Sequence, residues 1–438
     1  MSLISTPPAP RASSHGRTPP GAGGGRDAAV DLIRAACLVA VVVVHALMVG
    51  VSVQGGEPVL ENALEPWDGF TSFSWFAQMM PLFFIAGGFA AATHYKRLRL
   101  RGVTAAGYVA SRMGRLLPIP LLAAGATAAI LAALALLGVD PTIVATAGWR
   151  ISQPLWFLGV YVLCSALVPA MVAMHDRAPR ATLVALGAAI LTVDGLRLVT
   201  GVEPIGFANL LFVWLFVQQL GLWLADGAAP GARTAVVALA GGATWIAIGA
   251  SPANLFEALN PPTAVLALLG VAQYAVFAAL RPWLTLLADV PAVRRAADAI
   301  NLRAMTIYSW HMPATVLLAG GVLVATQLLG GQLPLPLSDA WWLSRPAWFV
   351  GVAGVVAVTV VVAGRLERRA LARVRIVTRP TPLRAAAAAL VAAAGVLVIL
   401  AGAGALAAWL CGAALLAGAL LLCSDRGQKA NAAPSSTP

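Results

Sequence analysis

Apolar runs of about 20 residues recur along almost the entire sequence, and this repetition constrains the fold more than any other feature. A run of that length is what a helix needs to cross a hydrocarbon core roughly 30 Å thick. Only 11% of the 438 residues are charged, against roughly 25% in an ordinary soluble domain. Because lipid cannot satisfy the open edge of a β-sheet, the sequence predicts an all-α fold, a bundle of transmembrane helices.

Hydropathy predicts twelve spans. The first ten are residues 28–50, 74–94, 116–138, 155–173, 181–200, 208–225, 234–250, 264–280, 304–328 and 346–364. The last apolar run, residues 385–423, contains no charge and is too long for one span. It therefore predicts a helical hairpin that turns near Gly402.

These spans define the expected domain organisation. Residues 28–365 form a core of ten helices, residues 366–384 a basic cytoplasmic loop, and residues 385–423 two additional transmembrane helices. Residues 1–27 are rich in Pro, Gly, Ser and Ala, which predicts a disordered cytoplasmic tail. No apolar run precedes Ala28, so no cleavable signal peptide is expected. Residues 424–438 form a short polar tail.

The basic residues predict the orientation. With the amino terminus in the cytoplasm, 26 of the 29 lysines and arginines fall on the cytoplasmic side, and the exceptions are Arg150, Arg197 and Arg345. The net charge of +12 therefore follows from topology, and no nucleic-acid partner is expected. The predicted location is the bacterial inner (plasma) membrane, with the lipid bilayer as the first partner.

The first predicted helix contains three ionisable residues, Asp31, Arg34 and His45. Arg34 and His45 are eleven residues apart, so they lie on one helix face, separated by about 16 Å along the axis. Ionisable groups inside a membrane usually mark function, and a histidine can accept a proton near neutral pH. The alternatives are interfacial anchoring for Asp31 and Arg34 and a structural role for His45.

Three further patterns supply candidate residues. Arg112 and Arg115, three residues apart where a cytoplasmic loop enters the third helix, could hold phosphate with their guanidinium groups, although arginines there also act as topology signals. Tyr308 and His311 lie early in the ninth helix. Trp156 opens the fourth helix, where an aromatic belt explains it equally well.

Taken together, these motifs resemble the acyltransferase-3 family of integral membrane acyltransferases. Arg34 and His45 match the spacing of a basic residue and a histidine in that family's first helix, and Arg112 and Arg115 match its Arg-x-x-Arg motif. The runs PLWFL and IYSWH also match. The run MPLFFIAGGFAA resembles a family segment, but Ala86 and Gly87 replace the usual residues and a common hydroxyl is absent. The resemblance covers roughly residues 27–365.

The resemblance implies an O-acyltransferase that moves an acyl group, commonly acetyl from acetyl-CoA, to a hydroxyl of a glycan, lipid-linked sugar or other small acceptor. Acyl-CoA is then a co-substrate, and no bound cofactor or metal is expected. The implied roles are catalysis by His45 with Arg34, and acyl-CoA binding by Arg112 and Arg115. Asp31, on the same face, joins the catalytic candidates, and His311, Tyr308 and Trp156 are candidates for supporting roles. General-base and acyl-histidine mechanisms both remain open.

Two other functions fit a protein of this class. Twelve spans suit a transporter or exporter, but the two halves show no internal repeat, and residues 95–111 lack the charged signature of major-facilitator proteins. A non-catalytic membrane scaffold is the second alternative. The presence of the whole set of candidate residues favours the enzyme.

The charge distribution predicts the topology directly. External reporter signals are expected for fusions after Gln54, Asp140, Glu203, Leu259 and Gly330, and cytoplasmic signals for fusions after Arg101, Arg177, Asp289 and Arg373. The reason is the excess of basic residues on the cytoplasmic side. The activities of paired periplasmic and cytoplasmic reporters show on which side of the membrane each fusion point lies. An external signal after Arg101 would contradict the predicted topology.

Overall fold

The computed structural model describes residues 27–54, 57–371 and 380–424. Apart from Asp27, the predicted amino-terminal tail lies outside these ranges, as do residues 372–379 of the predicted basic loop. All of the predicted carboxyl-terminal tail except Ser424 also lies outside them.

Within these ranges the chain forms sixteen α-helices and one two-stranded antiparallel sheet. The helices are α1 (Ala28–Met48), α2 (Phe70–Ala77), α3 (Met80–Leu100), α4 (Ala105–Leu116), α5 (Pro118–Leu136), α6 (Pro141–Ser152), α7 (Leu155–Arg177), α8 (Pro179–Thr200), α9 (Asn209–Ala225), α10 (Ala232–Ala247), α11 (Ala264–Asp289), α12 (Pro291–Leu302), α13 (Ala304–Leu328), α14 (Asp339–Leu371), α15 (Pro382–Ala401) and α16 (Leu406–Leu422). The strands β1 (Val49–Gln54) and β2 (Glu57–Asn62) follow α1, and a short 3₁₀ helix (Glu203–Ala208) precedes α9.

The predicted membrane fold is confirmed. Among the described residues, ten helical segments are long and apolar enough to cross a membrane, and two further apolar helices, α10 and α16, are shorter than that. These twelve coincide with the twelve predicted spans. The chain is therefore an all-α, multi-pass membrane protein with one small sheet.

Hydropathy did not predict the short elements. It missed the β1–β2 hairpin and the helices α2, α4, α6 and α12, because these elements are too short or too polar to register as spans. It also ended the tenth span too early, since α14 continues to Leu371 through the start of the predicted basic loop. Two features favour the longer helix. The arginines in this last part of α14 are good helix formers. The buried Glu367 also fixes it in place, because it accepts hydrogen bonds from Thr306 (2.6 Å) and Trp310 (3.0 Å).

Two glycines let α3 and α9 cross at very short distance. A Cβ atom on Gly88 would lie 2.2 Å from the backbone oxygen of Gln218, and one on Gly221 would lie 2.2 Å from the oxygen of Ile85. Small residues of this kind allow close packing of transmembrane helices. The crossing brings the ring of Phe84 onto Trp214, with 4.6 Å between the ring centroids.

A buried carboxylate joins four helices at the end of the bundle opposite the α3–α4 turn. Asp194 on α8 is fully buried and accepts hydrogen bonds from the side chains of Asn209 (2.8 Å) and Trp245 (2.9 Å) and from the backbone of Ala264 (2.8 Å). Unpaired, such a group would be costly in an apolar environment. These donors come from α9, α10 and the start of α11, so Asp194 fixes their relative positions.

A second polar junction joins α7 to α9. The buried His175 lies 2.7 Å from the carboxylate of Asp226 and 2.6 Å from the amide of Gln219. Lys96 on α3 pairs with Asp226 and with Asp176, each at 3.4 Å. These contacts hold α3, α7 and α9 together at the end of the bundle that carries the α3–α4 turn.

The last two helices form a tightly packed antiparallel pair. Arg384 at the start of α15 donates hydrogen bonds to the backbone oxygens of Leu421 and Ser424 at the end of α16. The chain reverses between Ala401 and Leu406, where the sequence placed the turn. Gly395 and Gly412 face each other, because a Cβ on Gly395 would lie 2.9 Å from the oxygen of Gly412.

The close crossing of α3 and α9 predicts a large effect for a small substitution. Gly88→Ala should lower the free energy of unfolding by about 1–3 kcal/mol, because the added methyl meets backbone that cannot move aside. Gly125→Ala on α5 is the matched control: nothing lies within 4 Å of its Cβ position, and alanine is the better helix former. Thermal denaturation of the two variants in detergent measures the difference, and equal midpoints would contradict the packing.

Candidate active site

Two histidines from distant parts of the sequence meet between α1 and α13. Nε2 of His311 lies 3.4 Å from Nδ1 of His45, and the ring centroids are 5.1 Å apart. His311 is fully buried and His45 is partly buried. The structure thus places the predicted catalytic histidine beside a predicted supporting one.

Backbone carbonyls determine which nitrogen of each ring holds the proton. Nδ1 of His45 lies 2.9 Å from the oxygen of Val41, and Nδ1 of His311 lies 2.7 Å from the oxygen of Tyr308. A carbonyl oxygen can only accept, so both Nδ1 atoms are donors and, in neutral rings, both Nε2 atoms are acceptors. The Nε2 lone pair of His311 lies 3.4 Å from Nδ1 of His45, whose one proton is therefore shared between the nearer Val41 oxygen and His311. This arrangement leaves Nε2 of His45 available to take a proton or attack an acyl group.

A cavity of about 540 Å³, here named the Arg34 cavity, opens near the start of α1. Its polar lining comprises two arginines and three aspartates together with His94, Thr93 and Asn301; the charged residues are Arg34, Arg97, Asp27, Asp31 and Asp298. Arg34 lies 3.8 Å from the carboxylate of Asp31, and its buried Nε atom has no hydrogen-bond partner among the described residues. About 16 Å along α1 separates Arg34 from His45. Asp31 and Arg34 therefore belong to the mouth of a cavity, not to the immediate surroundings of His45.

Arg112 and Arg115 lie in the amphipathic helix α4, not in a loop, and they have different surroundings. Arg112 is partly buried; it donates a hydrogen bond of 2.7 Å to the hydroxyl of Tyr161 and lies over that ring at 5.7 Å. Arg115 is exposed and bonds only within its own helical turn, to Ser111. Both charges lie within electrostatic reach of His94, which lines the Arg34 cavity, but neither arginine is itself in the cavity wall.

An aromatic cluster connects Arg112 to the two histidines. The ring of Tyr161 stacks on Phe157 at 5.3 Å, Phe157 meets Tyr308 at 5.2 Å, and Tyr308 meets His311 at 6.2 Å. The Tyr308 hydroxyl donates to the backbone oxygen of Pro154 at 2.7 Å. Tyr308 therefore packs between α7 and α13 and helps to position the two helices.

Trp156 lies on the far side of this cluster. Its ring centroid is 5.6 Å from that of Trp214 and 6.2 Å from that of Phe157. The indole therefore contacts the α3–α9 crossing, where Trp214 stacks on Phe84.

Sequence reasoning missed three polar groups near the site. It assigned no role to His94, left Tyr161 open between a site residue and an interfacial aromatic belt, and placed Glu367 in a basic loop. Tyr161 and Glu367 are placed by partners far away in the sequence, as when Tyr161 accepts from Arg112, 49 residues earlier. No local pattern reports such a contact. Among the described residues, no group of three or more His, Cys, Asp or Glu side chains could hold a metal ion.

Comparison with known proteins identifies the family. The family model described as an acyltransferase domain matches residues 27–364. The chain belongs to the acyltransferase-3 family. No curated protein and no solved structure matches it. As a member of this family the chain is a multi-pass membrane acyltransferase. The match begins just before α1 and ends within α14, so it spans both histidines, the Arg34 cavity and both arginines of α4.

Proposed function

We propose that this acyltransferase moves an acyl group, commonly acetyl, from acyl-CoA to a hydroxyl of a glycan, a lipid-linked sugar or another small acceptor. The observation behind the proposal is the His45–His311 pair, with the free Nε2 of His45, on the same helix as the Arg34 cavity. In this proposal the Arg34 cavity opens to the cytoplasm of a bacterium, and the protein resides in the plasma membrane.

The donor enters at the basic side. Acyl-CoA carries several phosphate charges, and arginine forks bind phosphate with charge-assisted hydrogen bonds. Arg115 and Arg97 are exposed there, and Arg34 and His94 have buried nitrogen atoms without hydrogen-bond partners among the described residues. These groups would hold the phosphates of acyl-CoA at the mouth of the Arg34 cavity, while its acyl end reaches inward along α1. Acyl-CoA is a co-substrate in this reaction.

His45 performs the proton transfer or the acyl transfer. As a general base, its Nε2 removes the proton from the acceptor hydroxyl while the oxygen attacks the thioester carbonyl; the C–O bond forms, the C–S bond breaks, and the proton passes to the CoA sulfur. As a nucleophile, the same nitrogen attacks the thioester carbonyl, and the C–S bond breaks to release CoA thiolate. The acceptor oxygen then attacks the acyl-histidine, the C–N bond breaks, and the hydroxyl proton passes to the CoA sulfur. Both routes need an unprotonated Nε2. His311 positions the ring by accepting from Nδ1.

His45→Ala should abolish acyl transfer without loss of membrane insertion. Removing the proton acceptor or nucleophile costs about 10²–10⁴-fold or more in rate, and alanine is less costly than histidine in lipid. Mass spectrometry of envelope and small-molecule fractions measures the acylated product in a deletion strain complemented with each variant, and an immunoblot measures expression.

Two variants of α13 serve as comparisons for His45→Ala. His311→Ala should reduce the product less, because Val41 still orients His45. Ser309→Ala should leave the yield unchanged, since its buried hydroxyl has no partner among the described residues. Full product from well-expressed His45→Ala protein would exclude the mechanism and favour a transporter or a scaffold.

Arg112→Ala and Arg115→Ala should each weaken binding of acetyl-CoA about tenfold or more, since a charge-assisted hydrogen bond contributes about 1.5–3 kcal/mol. Lysine should rescue only partly, because it lacks the planar fork. Arg99→Ala is the matched control: Arg99 lies on the same side but is already paired with Asp176 at 3.1 Å. Calorimetric titration of acetyl-CoA into nanodiscs measures the affinities. If both alanine variants bind acetyl-CoA with wild-type affinity, these arginines do not bind the donor and serve only as topology signals.

A further inference from the structure

Three arginines lie on the side of the membrane that the charge distribution predicts to be external, and they differ in their neighbours. Arg197 pairs with Glu203 at 3.3 Å, and Arg150 lies within electrostatic reach of two glutamates. Among the described side chains no carboxylate lies within 4 Å of the third, Arg345. Topology favours basic residues on the cytoplasmic side only. The unneutralised charge of Arg345 therefore needs another explanation.

Two indoles hold the guanidinium of Arg345 in place. It lies 4.1 Å from the ring centroid of Trp341 and 5.5 Å from that of Trp348. Trp341 is buried, and the indole nitrogen of Trp348 donates a hydrogen bond of 2.8 Å to the backbone oxygen of Ala46. Aromatic faces attract a cation but leave it charged. The position of the charge is thus fixed although the charge is not neutralised.

The hydrogen bonds of Arg345 leave part of its guanidinium fork free. Nε donates to the backbone oxygen of Trp341 at 3.2 Å, and Nη2 donates to the hydroxyl of Ser344 at 3.0 Å. Nη1 has no hydrogen-bond partner among the described residues. Because each of these two nitrogens carries two hydrogens, Nη1 and the second hydrogen of Nη2 remain available. Two adjacent N–H groups match the two oxygens of a carboxylate.

Arg345 lines a cavity of about 300 Å³ between β1, α13 and the start of α14, here named the Arg345 cavity. Apart from Arg345 and Ser344, its walls are apolar or aromatic, and they include Val49, Val51 and Val322. Pockets for small molecules begin at about this volume. The cavity could not enclose the two hydrocarbon chains of a phospholipid, so its size favours a small ligand.

The Arg345 cavity lies at the end of α1 opposite the Arg34 cavity. Two of its wall residues hold that end of the helix: the backbone N–H of Val49 donates to the oxygen of His45, and Trp348 donates to the oxygen of Ala46. In the predicted orientation this end is external, whereas the Arg34 cavity is cytoplasmic. A ligand of the Arg345 cavity would therefore bind on the other side of the bilayer from the proposed acyl donor.

The loop before α14 contains a strained residue beside the cavity. Leu337 has a φ of 68° and is the only non-glycine residue with a positive φ in the described part of the chain. Its side chain packs in the cluster that contains Trp341, and Leu333 and Pro334 of the same loop line the cavity. Backbone strain of this kind tends to occur at ligand sites. The loop therefore supports a binding role for the cavity.

We propose that the Arg345 cavity binds a small organic carboxylate, whose carboxylate group pairs with Arg345 and whose apolar body packs against Trp341 and the valines of β1. One carboxylate neutralises the one unpaired charge, whereas a doubly charged phosphate monoester would bring a further charge into an apolar cavity. The apolar walls favour an organic anion over an inorganic one. This site goes beyond the proposed acyl transfer and does not depend on it.

Two probes of the same shape test for the charge. Phenylacetate and phenylacetamide differ only in the replacement of the carboxylate by a neutral amide. Ligand-observed NMR measures their affinities for the full-length protein in phosphatidylcholine nanodiscs, with empty nanodiscs as the blank. We expect wild-type protein to bind phenylacetate at least tenfold more tightly than phenylacetamide, and Arg345→Gln to remove that preference. Arg150→Gln should keep it: Arg150 also lies over an indole, that of Trp149 at 4.8 Å, but does not line the cavity.

A pair of tryptophan substitutions on α13 tests the cavity itself. Val322→Trp fills the space and should weaken both probes by a similar factor, at least fivefold. Val324→Trp is the matched control, because Val324 is also exposed but does not line the cavity; both affinities should stay at the wild-type value. Thermal denaturation midpoints close to that of the wild type show that the variants are folded.

Three results would each overturn the proposal: equal affinities of the wild-type protein for the two probes, a preference retained in Arg345→Gln, and wild-type affinities in Val322→Trp. Displacement of phenylacetate by micromolar short-chain phosphatidylglycerol would also overturn it, because the cavity would then be a site for a lipid headgroup. These measurements involve binding alone, so a failure here leaves the proposed acyl transfer standing.

Discussion

A polar group inside the bilayer is costly unless it finds a partner within the protein, because no water is present in the hydrocarbon core to replace one. This constraint explains where the charged and polar side chains of the bundle lie. Asp194 collects donors from three neighbouring segments, His175 lies between Asp226 and Gln219, and Glu367 accepts from Thr306 and Trp310. Each of these groups joins helices that hydropathy alone would leave free to pack in many ways.

The histidine pair differs from these junctions in one respect. Asp194, His175 and Glu367 direct their polar atoms at groups from neighbouring helices, whereas each histidine of the pair bonds the carbonyl of its own helix through Nδ1. That local bond fixes the ring and leaves its other nitrogen free. The Nε2 of His311 turns toward His45, and the Nε2 of His45 has no hydrogen-bond partner among the described residues. Rigid orientation with one free lone pair is what proton transfer or acyl transfer requires.

Features that depend on helix periodicity could be predicted from the sequence. Length and hydropathy located the twelve apolar helices, and the eleven-residue spacing placed Arg34 and His45 on one face of α1. Features that depend on contacts between distant segments could not. His45 and His311 are 266 residues apart, and only the packing of α1 on α13 shows that their rings meet. The difference between Arg112 and Arg115 has the same origin, since both belong to one helical face and only Arg112 meets Tyr161.

The carboxyl-terminal hairpin shows how the site is closed on one side. The family match ends at residue 364, yet α15 and α16 pack directly on the core. A Cβ on Gly148 of α6 would lie 2.4 Å from the backbone oxygen of Ala403, in the turn of the hairpin.

The void between this hairpin and α13 is small. It measures about 20 Å³ and is lined by Pro313, two residues beyond His311, together with Val396 and Trp409 of the hairpin. Such a space holds at most about one water molecule, so no substrate can approach the histidines from that side. The Arg34 cavity, of about 540 Å³, lies about 16 Å from His45 along the same helix. Closure by the hairpin therefore favours entry of the donor from the Arg34 side.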